Sequence, residues 1–154
     1  MSRTRALLIL LLSSCFVLAG CGSSPREVTK AQYQQELTRL GTNLTDLGSE
    51  LGKSIDIATF NQNVQDLQDG LDDAAHDLNG LEPPANVQDA NDRLATALSE
   101  FSDRLEAVKE ARRESIVKAR AELLNVSRSA PIRDGRAAVR ELKRNGYDVA
   151  QLTL

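Results

Sequence analysis

Tyr33, Leu37, Leu40, Leu44, Leu47 and Leu51 follow one another at gaps of 4, 3, 4, 3 and 4 residues. That alternation keeps one face of a helix apolar, whereas a strand would need period two. A second seam is as regular: Ile57, Phe60, Val64, Leu67, Leu71, Ala74, Leu78 and Leu81 step 3, 4, 3, 4, 3, 4, 3. A third holds Val87, Leu94, Leu98, Phe101, Leu105 and Val108, with Asn91 at the place between the first two. Each is a heptad seam of the coiled-coil type. Only 3% of the residues are aromatic and none is Trp, which argues against sandwiches and barrels and against base-stacking sites.

Helix stops and starts divide the seams. Ser24-Pro25-Arg26-Glu27 has Ser at N-cap, Pro at N1 and Glu at N3, and Thr29 with Gln32 offers a second capping box. Gly52 to Asp56 reads as the first turn, with Ile55 and Phe60 flanking Asp56 as a hydrophobic staple. Glu82-Pro83-Pro84 ends the second helix, and a third begins near Pro84 or Asn86. No Gly or Pro interrupts Ala85 to Ser129. The simplest expectation there is one helix of about 40 residues, about 60 Å long, with a bend near Arg112. Beyond Val108 its apolar residues leave the seam, shifting to Ile116, Val117, Ala119, Leu123, Leu124 and Val126. Helices one and two are each about 25 residues, so the third overhangs them unless a fourth covers its end.

Ser129-Ala130-Pro131 starts such a fourth helix. Gly146 is a natural C′ residue, with Leu142 and Tyr147 at the C3 and C″ places of a Schellman ending. Asp148 to Leu154 is a tail that docks or frays. Gly41 and Gly48, seven apart beside the first seam, mark either close approach of a partner helix or tolerated surface glycines. The expected fold is all-α: an antiparallel helical bundle of three long helices plus a shorter C-terminal helix. The bundle is expected over residues 27–146, with 147–154 as tail.

The first twenty residues read as an address rather than as structure. Arg3 and Arg5 precede the apolar run Ala6 to Leu18, which at 13 residues is short of the roughly 20 that span a bilayer. The run ends in Leu18-Ala19-Gly20-Cys21, which resembles the lipobox of bacterial lipoproteins. The resemblance implies that Cys21 carries a diacylglycerol thioether, that residues 1–20 are cleaved, and that 21–26 form a short tether. The alternatives are a secreted chain with a stray Cys or a plain N-terminal membrane helix. With the lipobox reading, Cys15 leaves with the signal, so the mature chain has no thiol for a metal site, redox pair or nucleophile.

Charge is unevenly placed. From Leu40 to Asp103 there are 13 acids against Lys53 and Arg93, and from Arg104 to Leu154 there are 12 bases against 7 acids. Arg112, Arg113, Lys118, Arg120, Arg136, Arg140 and Arg144 form the candidate partner surface, against a plainer reading as solvated helix faces. An exported, acidic, aromatic-poor chain is not expected to bind nucleic acid. Asp69, Asp72, Asp73, His76 and Asp77 cluster on helix two, but without a second His or Cys they are assigned no metal, and the EF-hand pattern is unfilled. There is no Gly-rich phosphate loop, no Gly-x-Ser-x-Gly and no HExxH, so no catalytic residue and no cofactor is assigned.

A wider likeness rests on Leu78-Asn79-Gly80-Leu81-Glu82-Pro83-Pro84, followed by Val87 and Ala90 and the seam from Leu94. This stretch is similar to a hairpin in uncharacterised all-helical lipoproteins of high-GC Gram-positive bacteria, some of which have His where Asn91 stands. It implies a fold and a location, not an activity. The expected function is that of a non-enzymatic scaffold or protein-interaction module, lipid-anchored on the extracytoplasmic face of the cell membrane. Its expected partners are the membrane, an envelope protein and a second copy of the chain. The alternative is a lipoprotein that binds a small ligand or divalent metal between helices.

Overall fold

The computed structural model describes residues 25–152. A two-residue strand, β1 (Arg26–Glu27), leads into α1 (Lys30–Lys53) and α2 (Ile57–Asn79). A second short strand, β2 (Leu81–Glu82), and a 3-10 turn (Ala85–Val87) lead into α3 (Gln88–Glu114), α4 (Ile116–Val126) and α5 (Ala130–Arg144). The fold is all-α, with the helices packed on one another.

Helix α1 starts at the second of the two capping boxes. The Thr29 hydroxyl accepts from the Gln32 amide, and the Gln32 side chain accepts from the Thr29 amide at 2.9 Å. Ser24-Pro25 does not begin the helix, because Arg26 and Glu27 are extended and pair in parallel with Leu81 and Glu82. The Arg26 amide donates to the Gly80 carbonyl and the Val28 amide to the Glu82 carbonyl, at 2.8 and 3.1 Å. The entry to α1 is thus fastened to the α2–α3 connection.

The first turn falls where its residues indicate, with Asp56 accepting from the Thr59 amide and hydroxyl at 2.9 and 2.7 Å. These bonds hold the Asp56 carboxyl below its ordinary range. The expected staple is absent. Phe60 is buried in the core while Ile55 is 91% exposed, so the two side chains point in opposite directions. The side chain buried in the turn is Ser54, not Ile55.

The seams become the core. Tyr33, Leu37, Leu40 and Leu51 of α1 are buried, as are Phe60, Val64, Leu67, Leu71, Ala74 and Leu78 of α2. Val87, Leu94, Leu98, Leu105 and Val108 join them. Asn91, the polar exception, is equally buried: its amide donates to the Leu78 carbonyl at 3.1 Å and its oxygen accepts from the Tyr33 hydroxyl at 3.0 Å. Leu78 lies in the last turn of α2, where carbonyls lack intrahelical partners. One side chain therefore ties α1, α2 and α3 together. Burial raises the Tyr33 phenol well above its ordinary range.

The expectation of one 40-residue third helix is corrected. Ser115 is extended (φ −170°, ψ 157°), ending α3 and capping α4, its hydroxyl accepting from the Lys118 amide at 3.2 Å. The cause is length: α1 and α2 have 24 and 23 residues. Continued straight, the helix would place Arg112 and Ser115 on the seam and carry Ile116, Ala119 and Val126 past the ends of both partners. The break lets α4 and then α5 pack back on α3. Asn86 meets Asn145, and Arg93 pairs with Glu141, which fixes α5 antiparallel to α3.

Helix α5 closes with the Schellman pattern: Gly146 has φ +79°, its amide reaches the Lys143 carbonyl, and the Tyr147 amide reaches the Leu142 carbonyl. The chain then runs along α1. Gln34 exchanges two 2.7 Å hydrogen bonds with the Asp148 backbone, Thr45 donates to the Gln151 carbonyl, and Val149 and Leu152 are buried. The tail docks here through residue 152. The close approach expected at Gly41 is made by this tail, since a Cβ there would stand 2.8 Å from the Gln151 carbonyl carbon. Gly48 has nothing within 4 Å of such a Cβ.

Urea unfolding of four variants checks this packing. Asn91→Ala, which orphans the Tyr33 hydroxyl and the Leu78 carbonyl, is expected to cost about 1–3 kcal/mol for each group left unpaired. Gly48→Ala is expected to stabilise by about 0.5–1 kcal/mol through helix propensity alone, whereas Gly41→Ala destabilises and makes the tail more sensitive to carboxypeptidase. Because the Tyr33 phenol is raised on folding, its contribution is complete at neutral pH. It is lost as pH climbs above the phenol range of the unfolded chain, and Tyr33→Phe removes that part of the alkaline decline.

Candidate functional site

Two charged surfaces lie on different columns of the fold. Helix α2 carries five carboxylates and neither Lys nor Arg, whereas residues 116–144 carry eight bases against three acids. Helix α3 stands between them, with α2 packed on it and α4 and α5 packed on it elsewhere.

The acidic surface is a groove of about 710 Å³ between α1 and α2. Asp46, Asp66, Asp69, Asp73 and Asp77 line it, over a floor that includes Leu40, Leu47 and Ala74. Gly70 sets its waist, because Leu47 occupies the space a Cβ would need. Arg39 closes one end. It binds Asp77 at 2.6 Å and Glu36 at 2.9 Å, bonds that raise its pKa further, and Glu36 in turn meets Arg26 of β1 at 3.5 Å. Asp66 and Asp69 each accept from a glutamine one helical turn earlier. His76 is exposed. Among the described residues no three His, Cys, Asp or Glu side chains are grouped so as to hold a metal ion.

The seven bases of the candidate partner surface separate into three sets. Arg112, Arg113 and Lys118 gather around the Ser115 break, where Arg113 pairs with Glu110 at 3.0 Å and Lys118 pairs with Glu114. Arg120 has another task. Its guanidinium donates to the Ser54 carbonyl at 2.7 Å, tying α4 to the α1–α2 turn. Arg136, Arg140 and Arg144 share the outer face of α5, opposite the buried Ile132, Gly135, Ala138 and Leu142.

Arg133 belongs to the same outer stripe, giving spacings of 3, 4 and 4. Its signal in the sequence is its place one helical turn before Arg136. Like charges at these spacings destabilise an isolated helix by about 0.2–0.5 kcal/mol per pair. Glu141 is shared between Arg93 of α3 and Arg144, the latter at 3.9 Å. The Arg133 guanidinium also donates to the Arg128 carbonyl at 3.0 Å.

A second missed feature is the outer face of α4. Ile116, Ala119, Leu123 and Val126 turn inward, yet Val117 is 74% and Leu124 58% exposed, with exposed Ala121 between them at gaps of 4 and 3. The doublets Ile116-Val117 and Leu123-Leu124 are the signal, since adjacent apolar residues on a helix cannot both face one partner. A helix apolar on both faces is ordinarily covered on both.

Leu18, Ala19, Gly20 and Cys21 lie outside the described residues, and no helix among the described residues is long and apolar enough to cross a membrane. Compared with protein-family models, with curated proteins and with solved structures, the chain has no match.

Replacing Arg120 by Gln is expected to accelerate amide hydrogen exchange in α4 while leaving α1, α2 and the centre of α3 protected. Unchanged exchange in α4 would show that Ala119 and its apolar neighbours hold the helix without this tie.

Proposed function

We propose that the chain is a lipid-anchored envelope lipoprotein, held through Cys21 on the extracytoplasmic face of the cell membrane. It works there as a non-enzymatic helical scaffold that presents charged faces to other molecules. The observation that carries the reading is the lipobox-like Leu18-Ala19-Gly20-Cys21, and the fastening of β1 to β2 gives it a geometric consequence. Arg26 is five residues beyond Cys21, a reach of at most about 17 Å. A chain anchored at Cys21 would therefore hold the α1 entry and the α2–α3 connection close to the bilayer instead of letting the bundle swing on a linker. The resemblance to helical lipoproteins of high-GC Gram-positive bacteria supports the same reading.

The test is metabolic labelling with an alkynyl fatty acid in a bacterial host, followed by membrane fractionation. The parent chain is expected to take the label and sediment with membranes, and Cys21→Ala to lose the label. A Cys21→Ala chain that keeps the label overturns the anchor.

The α1–α2 groove favours a second reading, in which the lipoprotein holds a small organic cation among the five aspartates. Spermidine titrated calorimetrically against the parent and an Asp69→Asn/Asp73→Asn variant distinguishes the readings. Saturable binding lost in the variant supports the second, and heats common to both chains leave the scaffold reading in place.

A further inference from the structure

We infer that the outer face of the α4–α5 column is a membrane-contact surface, with α4 seating in the interface of an anionic bilayer and α5 lying across its headgroups. Two independent features converge on it. Val117 and Leu124 form an exposed apolar stripe on α4, and Arg133, Arg136, Arg140 and Arg144 form an exposed basic stripe on α5. Both stripes face away from α3, and α4 and α5 back onto that one helix in series.

The combination identifies the occupant. An acidic protein would satisfy the arginines but has no need of the apolar stripe. A second copy would cover Val117 and Leu124 but would oppose one arginine row to another. An anionic lipid surface answers both, because its acyl boundary takes the apolar side chains while its phosphates pair with guanidinium groups. Guanidinium forks bind phosphate oxygens two at a time and carry less hydration than ammonium groups. The acidic α2, with its five carboxylates, is on another side of α3 and would be repelled from the same surface.

The inference adds an orientation to the anchored-scaffold reading. Held at Cys21 and seated through α4–α5, the bundle lies along the membrane, and the acidic α1–α2 groove is turned towards the envelope. Membrane attachment by a lipid chain together with a basic patch is cooperative in effect, each making the other's dissociation slower. The surface itself does not require the anchor, so it is tested without one.

Every packing contact described above falls within residues 25–152, so the chain from Gly22 to Leu154 retains the fold and lacks the acyl group. The protein contains no Trp, so a Leu124→Trp chain reports directly on the proposed contact. Mixed with phosphatidylcholine vesicles containing phosphatidylglycerol, its emission is expected to shift to the blue, with little shift on phosphatidylcholine alone. Partition into the anionic vesicles should weaken as salt rises. In co-sedimentation the Arg133→Gln/Arg140→Gln chain should bind about tenfold or more weakly than the parent, given the per-charge attraction of anionic leaflets. Val117→Ser/Leu124→Ser should also fall about tenfold through lost apolar burial. All four side chains are exposed, and far-ultraviolet circular dichroism checks that the helices persist. A parent chain that ignores anionic vesicles overturns the inference. So does partition that either double variant leaves unchanged, or a light-scattering dimer that Val117→Ser/Leu124→Ser converts to monomer. These results leave the Cys21 labelling outcome untouched, so failure of the surface and failure of the anchor are separately visible.

Discussion

Helix α3 has to bury side chains in more than one direction, and the other elements are arranged around that requirement. Its seam of Leu94, Leu98, Leu105 and Val108 is flanked on one side by Ala90 and Ala97 and on the other by Ala95 and Ser102, all buried. The alanines bring little apolar area of their own. Their value is that neighbouring helices approach closely on both flanks, which suits ridge-into-groove packing against α2 on one side and α4 and α5 on another. A helix surrounded this widely cannot also extend as a free rod, and the Ser115 break follows from that.

The Tyr33–Asn91–Leu78 junction shows what a polar residue on an apolar seam can accomplish. Three leucines in that layer would be interchangeable among registers. An asparagine that meets a phenol on one side and an unpaired helix-end carbonyl on the other is satisfied in one register only, because a shift orphans three buried groups at once. The edge-on packing of Tyr33 against Tyr147, with ring centroids 5.3 Å apart, extends this control to the docked tail. The N-terminal entry, the α2–α3 connection and the start of the C-terminal tail are thus all held at one end of the fold.

Charge segregation gives the fold two different exteriors. Among the ion pairs between described residues, many join neighbours on one helix, such as Lys53 with Glu50, Lys109 with Glu106 and Arg113 with Glu110. Exposed pairs of that kind add little stability. Arg39–Asp77 joins α1 to α2 and Arg93–Glu141 joins α3 to α5, where the acidic and basic surfaces meet residues of the other sign, while Lys118–Glu114 spans the Ser115 break. The acids of α2 and the arginines of α5 sit on helices that each pack on α3. Such an arrangement favours two binding faces of opposite sign over one enzyme-like cleft.

Local chemistry determined much of this protein before any tertiary contact formed. The 3–4 spacing of Tyr33 to Leu51 and of Phe60 to Leu78 dictated helices and their buried faces. Thr29 with Gln32, and Asp56, wrote two helix starts, and Leu142, Gly146 and Tyr147 wrote a helix end. These features were legible because each depends on residues within a few positions of one another. The Ser24-Pro25 start and the Ile55–Phe60 staple were misleading for the converse reason: pairing with Leu81–Glu82 and burial of Ser54 depend on distant residues. Only the tertiary structure decided that Ser115 breaks a helix, since serine fits equally in a helix and at an N-cap. The choice turns on the apolar area α4 gains against α3. It also decided that Arg120 serves Ser54 while Arg133 joins Arg136, Arg140 and Arg144, because the outward side of a helix is known only once its inward side has a partner.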